Sequence, residues 1–136
     1  MLFPALDIST SGLAAQRARM NARSSNMANL STTRNEVGEP KPYQPRFVVF
    51  ETDDAVGAHG ASGVRVASVE TTDVEPRVKY EPGHPDANEQ GYVAYPNVNM
   101  MTEFTDAMEA ARAYEANLGA FEITKDLEQQ TLRILA

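Results

Sequence analysis

The chain is expected to be α+β: long N- and C-terminal helices paired as a coiled coil, with a small central β module between them. Three observations predict this. Apolar residues recur at heptad spacing through residues 5–30 and again through 99–135, the hydrophobic period shortens to simple alternation in between, and the two ends carry opposite charge. The chain divides accordingly into an N-terminal helical arm (1–33), an extended segment with a small β module (34–98) and a C-terminal helical arm (99–136).

In the first arm Leu6, Leu13, Met20 and Met27 stand seven apart, with Ala14, Ala18, Ala22 and Ala28 beside them as close-approach sites. Pro4 suits a first helical turn, where its missing N–H is no loss, and Asp7 favours the positive end of the helix. The helix should fade at Asn29-Leu30-Ser31-Thr32-Thr33, whose side chains compete for backbone hydrogen bonds. Gly38, Pro40, Pro42 and Pro45 then forbid helix and favour an extended, partly polyproline path over 34–46. Phe47-Val48-Val49-Phe50, the alternating run Gly63 to Val69, and Val78-Lys79-Tyr80 are three candidate strands, with Gly91 to Pro96 a last extended stretch. Gly57, Gly60 and Gly63 separate the first two strands as a flexible hairpin loop; a phosphate cradle would need a following helix. Asn99 is a good N-cap, leaving Glu103 in the first turn of the second arm. Along that arm Phe104, Ala111, Leu118 and Leu132 hold one heptad position and Ala107, Tyr114, Phe121 and Leu135 the other, interrupted by Lys125 and Glu128. At 1.5 Å per residue the helices would be about 40 and 55 Å long, longer than a compact domain of this size is wide. The middle is too small to bury both stripes, so the chain reads as one subunit of an assembly.

Charge supports pairing of the ends. Residues 1–47 hold Arg17, Arg19, Arg23, Arg34, Lys41 and Arg46 against Asp7, Glu36 and Glu39, a balance of +3 in a chain of net charge −7. The remainder carries −10, with seven acids against three cations in the C-terminal helix. A basic helix followed by an acidic one suits antiparallel docking or contact between subunits. The net negative charge disfavours nucleic acid and anionic membrane surfaces, which reward clustered Lys and Arg. The absence of cysteine excludes disulfides and thiolate chemistry. No apolar run approaches the length of a membrane span, and the start, interrupted by Pro4 and Asp7 without a basic region, is a poor cleavable secretory signal.

No constellation for catalysis is legible, and no cofactor is expected. His59 and His84 both sit in loop-forming sequence without a carboxylate or cysteine at ligand spacing. Asp53-Asp54 and Glu70/Asp73/Glu75 lack the glycine and spacing of a calcium loop and read as solvated acidic turns. The serines at 9, 11, 24, 25 and 31 have no base in view.

Two stretches resemble a known family. Gly12-Leu13-Ala14-Ala15-Gln16-Arg17-Ala18-Arg19-Met20-Asn21 followed by Asn26-Met27-Ala28-Asn29-Leu30-Ser31-Thr32-Thr33 is similar to the N-terminal signature of the flagellar rod, hook and hook-associated axial proteins. Tyr80-Glu81-Pro82-Gly83-His84-Pro85, Gly91-Tyr92-Val93, Pro96-Asn97-Val98, Glu103-Phe104 and Ala111 to Asn117 resemble the C-terminal half of a proximal-rod member of that family. Met27 stands where Leu is usual, Phe104 where Met is usual, and 125–130 is unusually polar. The resemblance implies a structural subunit of the rod that crosses the bacterial periplasm, exported through the flagellar type III apparatus without a cleaved signal. Its terminal helices would pair as a coiled coil and stack in a helical array, with the β module outside. Implied partners are other flagellar rod proteins, the export-gate adaptor at the rod base, the surrounding ring proteins and copies of itself, with no nucleic acid and no membrane insertion. The expected assembly interface is Leu6, Leu13, Met20, Asn26, Met27, Asn29, Phe104, Ala111, Tyr114, Asn117, Leu118, Phe121, Leu132 and Leu135. Two other readings compete: a helical secretion chaperone or adaptor, which predicts a soluble dimer, and an enzyme, which needs a pocket with titrating groups.

Overall fold

A computed structural model describes residues 3–135; Met1, Leu2 and Ala136, the outermost residues of the two expected arms, lie outside the described residues. The order is α1 (Phe3–Ala28), β1 (Arg46–Asp53), β2 (Gly63–Thr71), β3 (Arg77–Tyr80), β4 (Tyr92–Tyr95) and α2 (Met100–Leu135). This is the expected α+β architecture, with boundaries moved by one or two residues at most helix ends. α1 ends at Ala28, where the expected fading at Asn29 begins, because Asn29 closes it: its N–H and its Nδ2 both donate to the Ser25 carbonyl, at 3.1 and 2.8 Å. Asn99 caps α2, its Oδ1 accepting the N–H groups of Met101 (3.0 Å) and Thr102 (3.3 Å). Asp7 lies beyond the first turn of α1, where the helix dipole has little hold on it.

The β residues form two separate two-stranded antiparallel sheets. β1 pairs with β2 from Arg46↔Thr71 to Asp53↔Gly63, and the register slips between Val49↔Ser68 and Phe50↔Val66, leaving Ala67 as a bulge. β3 pairs with β4 from Arg77↔Tyr95 to Tyr80↔Tyr92. Pro76, lacking an N–H, breaks the path between the sheets, so the middle of the chain is not one continuous module. The Gly57–Gly60 stretch is a loop as expected, with Gly57, His59 and Gly60 all at positive φ.

α1 is the central element, lying against α2 on one side and β1–β2 on the other, while neither strand of β3–β4 touches a helix or the first sheet. Ser11 ties α1 to β2: its Oγ accepts the Val64 N–H at 3.1 Å. The helices run antiparallel, Asn26 beside Glu103 and Gly12 beside Asn117, a register that puts Phe3 level with Asp126. α2 has 36 residues to the 26 of α1, so its turns from Leu127 onward reach past the described start of α1.

The interior is small. Ala15, Ala22, Val93, Val98 and Ala110 are the buried hydrophobic side chains, and among the described residues no Leu, Ile, Met, Phe or Tyr is buried. The accessible surface is 9249 Å², against about 7,000 Å² for a compact monomer of this mass.

Candidate assembly interface

The face that α2 turns to α1 is marked by its covered positions. Glu103, Ala107, Ala110, Tyr114, Asn117, Phe121, Thr124 and Glu128 are buried or half-buried, spaced alternately by four and three. On α1 the residues that meet it are Gly12, Arg19, Arg23 and Asn26; a Cβ built on Gly12 would lie 2.9 Å from Asn117 Nδ2, and the buried Ala15 and Ala22 share the helix stripe of Ser11, which bonds β2. Glycine in a helix interior is costly, and here its gain is room for the Asn117 side-chain amide. Of the heptad Leu6, Leu13, Met20 and Met27, Leu13 lines a small hollow with Tyr114 of α2. All four side chains are half-buried.

One end of the pair is locked by a polar group at its centre. Asn26 is 0% exposed and uses its full hydrogen-bonding capacity inside the chain. Its Nδ2 donates to the Arg46 carbonyl at 2.8 Å and to Glu103 Oε2 at 2.9 Å. Its Oδ1 accepts from the Arg46 N–H at 2.8 Å and from the Tyr43 hydroxyl at 2.9 Å. One amide thus joins the end of α1, the extended segment, the start of β1 and the first turn of α2. Glu103 is 7% exposed and also meets Arg23 at 3.2 Å, while Arg23 reaches Asp106 at 3.1 Å and Arg19 reaches Glu109 at 3.4 Å. The basic first helix does lie along the acidic second one. Asn29 makes only local bonds, to Ser25 and from Thr32 Oγ1.

Beside the covered face α2 carries a second apolar line at heptad spacing: Met101, Phe104, Met108 and Leu118 are exposed, with Ala111 half-buried. Phe104 is 50% and Leu118 38% open, so three of the expected interface residues, Phe104, Ala111 and Leu118, lie on this outward line, one step round the helix from the α1 contact. Tyr114, Asn117 and Phe121 are half-buried on the α1 side. Leu132 and Leu135, at 62% and 78%, belong to the overhang, together with Leu127 and Ile134.

Sequence reasoning missed Glu103 as a buried partner, because a glutamate near an N-cap reads first as a dipole complement. It also missed the anchor of the second sheet. Arg34 meets Asp86 at 2.6 Å and Thr33 Oγ1 donates to Asp86 at 2.7 Å; these two bonds hold the Asp86 carboxyl below the usual range. Lys79 first and the Tyr95 hydroxyl second do the same to Glu81. His84 Nδ1 accepts the Asp86 N–H at 3.0 Å, shaping the turn that presents this carboxylate. The Asp86 contacts fasten the β3–β4 turn to the segment after α1, and those of Glu81 hold the hairpin itself together.

Among the described residues no group of three His, Cys, Asp or Glu side chains is placed to hold a metal ion, and no helix is long and apolar enough to cross a membrane. A groove of about 670 Å³ lies between Ser25, Asn29 and Thr32 at the end of α1, Tyr43 and Gln44 of the extended segment, and Arg46 and Thr71 of the first sheet.

Comparison with known proteins accounts for this arrangement. Residues 6–34 match the family model described as flagella basal body rod protein, and residues 89–134 match the model described as flagellar basal body rod FlgEFG protein C-terminal. The two matches cover α1 and α2. Over whole chains, the flagellar basal-body rod protein FlgC of Salmonella typhimurium is 39% identical across 94% of this chain and 93% of its own. That of Borreliella burgdorferi is 37% identical across 98% and 97%, and that of Bacillus subtilis 35% across 97% of each. With such identity over nearly the full length of each relative, the chain belongs to the flagellar basal-body rod protein FlgC family.

Proposed function

We propose that this chain is a structural subunit of the bacterial flagellar proximal rod, polymerising through its terminal helices into the drive shaft. The observation that carries the reading is the unburied apolar surface. A folded chain with no buried Leu, Ile, Met or Phe among its described residues, and an outward apolar line along its longest helix, is stabilised further when neighbours cover that line. Family membership supplies the structure to which those neighbours belong. None of the relatives or family models reported above speaks for a secretion chaperone.

In this reading residues 1–33 and 99–136 are the assembly arms and 34–98 the outward part. The helix pair continues as a coiled coil in the array. Met101, Phe104, Met108 and Leu118, the overhang with Leu132 and Leu135, and the flanking Leu6, Leu13, Met20 and Met27 meet neighbouring subunits. Asn26 and Asn29 act within the subunit, fixing the shape that those neighbours meet. Partners are other rod proteins, the export-gate adaptor at the rod base, the surrounding ring proteins and further copies of the chain. The subunit reaches the periplasm-spanning rod through the type III export route without a cleaved signal. Contacts of one surface with a different surface of the next copy give an open helical array, as a rod requires.

The test is complementation. Cells without the chain should build no rod and should not swim; the intact chain should restore both. Leu118→Asp, which places a charge on the outward line, should accumulate normally and restore neither. Swimming without the chain would overturn the proposal.

A further inference from the structure

The groove at the end of α1 holds cations that the subunit does not neutralise. Arg34, Lys41 and Arg46 line it, against one acid, Glu36, among the described residues. Arg34 is engaged by Asp86, whereas neither Lys41 nor Arg46 has an acidic partner among the described residues. The Arg46 guanidinium lies over the Tyr43 ring, 5.9 Å from its centroid, which fixes it at the groove wall. Val37, 79% exposed, adds an apolar edge.

The complementary surface is on α2. Glu115, Glu122 and Asp126 are exposed, have no cationic partner among the described residues, and stand at i, i+7 and i+11, one stripe of the helix. Leu118, also exposed, lies within it. The stripe has the groove's opposite charge and the same mixture of charge and apolar surface.

Groove and stripe cannot meet within one subunit. The groove sits level with Asn29, and the antiparallel register puts Glu115 to Asp126 level with the first half of α1, roughly 20–40 Å away along the helix pair. The geometry points to a head-to-tail contact in which the Arg34–Lys41–Arg46 groove of one copy receives the Glu115–Glu122–Asp126 stripe of a second copy of this chain. Two different surfaces at opposite ends of one subunit make a heterologous contact that adds copies without closing. Charge sets orientation and register, and Leu118 against the apolar edge contributes the desolvated centre. The inference rests on the rod reading and names a contact that builds the array.

The chain has no cysteine, so introduced pairs report without background. A full-length chain carrying Lys41→Cys and Glu122→Cys, expressed in cells that lack the native copy and mildly oxidised, should give a ladder of linked copies beyond the dimer in the basal-body fraction. Lys41→Cys with Glu89→Cys should give none. Separately, Lys41→Glu with Arg46→Glu should lower incorporation by about tenfold, and adding Glu115→Lys with Glu122→Lys to the same chain should recover most of the loss. Incorporated protein that forms no ladder, or reversal that the second pair does not rescue, overturns the contact and leaves the rod reading standing. Absence of the intact chain from the basal-body fraction overturns both.

Discussion

Asn26 shows how one side chain can set a subunit's shape. Its amide spends both donors and both acceptor sites on four partners from three parts of the chain, in a position closed to water. Asn26→Ala would leave both backbone groups of Arg46 without the amide and take one partner each from the Tyr43 hydroxyl and the buried Glu103 carboxylate, so urea unfolding should show a loss of about 3 kcal/mol. Asn26→Asp should be no better, since it sets a second carboxylate against Glu103. Gly12 is the opposite case, a residue whose value is its missing side chain. Gly12→Ala meets only the mobile end of Asn117, but Gly12→Val overpacks the contact and should cost about 1–3 kcal/mol in the same measurement. At Asp86 the residue scale reaches pH. The Arg34 and Thr33 bonds lower its folded pKa, so their stabilisation is present in full above the unfolded carboxylate range and is lost as pH falls through the folded value. Glu81 has the same sign. Amide protection of β3–β4 should thus hold steady from pH 7 to about 5 and fall below about 4. In Asp86→Asn the protection should start lower and depend less on acid.

Elements were legible in the sequence wherever one local force decided them. Heptad spacing marked both helices, Asn99 marked the start of α2, and β-branched alternation marked Gly63 to Val69. The choice of contact face was not legible, because Leu6, Leu13, Met20 and Met27 and the smaller Gly12, Ala15 and Ala22 are both heptad-spaced. Which stripe meets α2 and which meets β2 is settled between elements rather than within either. The division into two sheets was equally hidden: Pro76 shows a break, but only pairing shows that β3 turns to β4 and away from β2. Of the interface residues, the outward positions of Phe104 and Leu118 follow from that choice of face, and the four-way role of Asn26 needs three segments far apart in sequence. The elements also differ in what they tolerate. A two-residue Gly/Ser insertion beside Gly60, which has open space around it, should leave assembly intact, since closing a slightly longer surface loop costs little. One residue inserted after Ala113 rotates all later positions by about 100°, taking Asn117 and Phe121 off α1 and moving Leu118 off the outward line. Incorporation into basal bodies should be lost. Retention with the helix insertion and loss with the loop insertion would assign assembly to the wrong part of the chain.

The whole molecule exposes about 30% more surface than a compact monomer of its mass. From Leu127 to Leu135 α2 carries Leu127, Leu132, Ile134 and Leu135 in the open, beyond the described start of α1. Helical turns that lack tertiary contacts are marginal in water, so in the isolated chain these turns should open freely even though their sequence favours helix. The lock at the other end, where Asn26, Arg23 and Glu103 join the arms, should be the slowest part of the helix pair to open. Amide exchange on a verified monomer should therefore show a gradient along α2, from strong protection near Ala110 to nearly none after Leu127. The gradient of α1 should run the other way, from Asn26 down toward Phe3. On incorporation into the rod both gradients should flatten, because neighbours then cover what the subunit leaves bare, and circular dichroism should record the gain of helix. Uniform strong protection of both arms in the monomer would mean that the subunit is complete alone, and that neighbours add to it without finishing it.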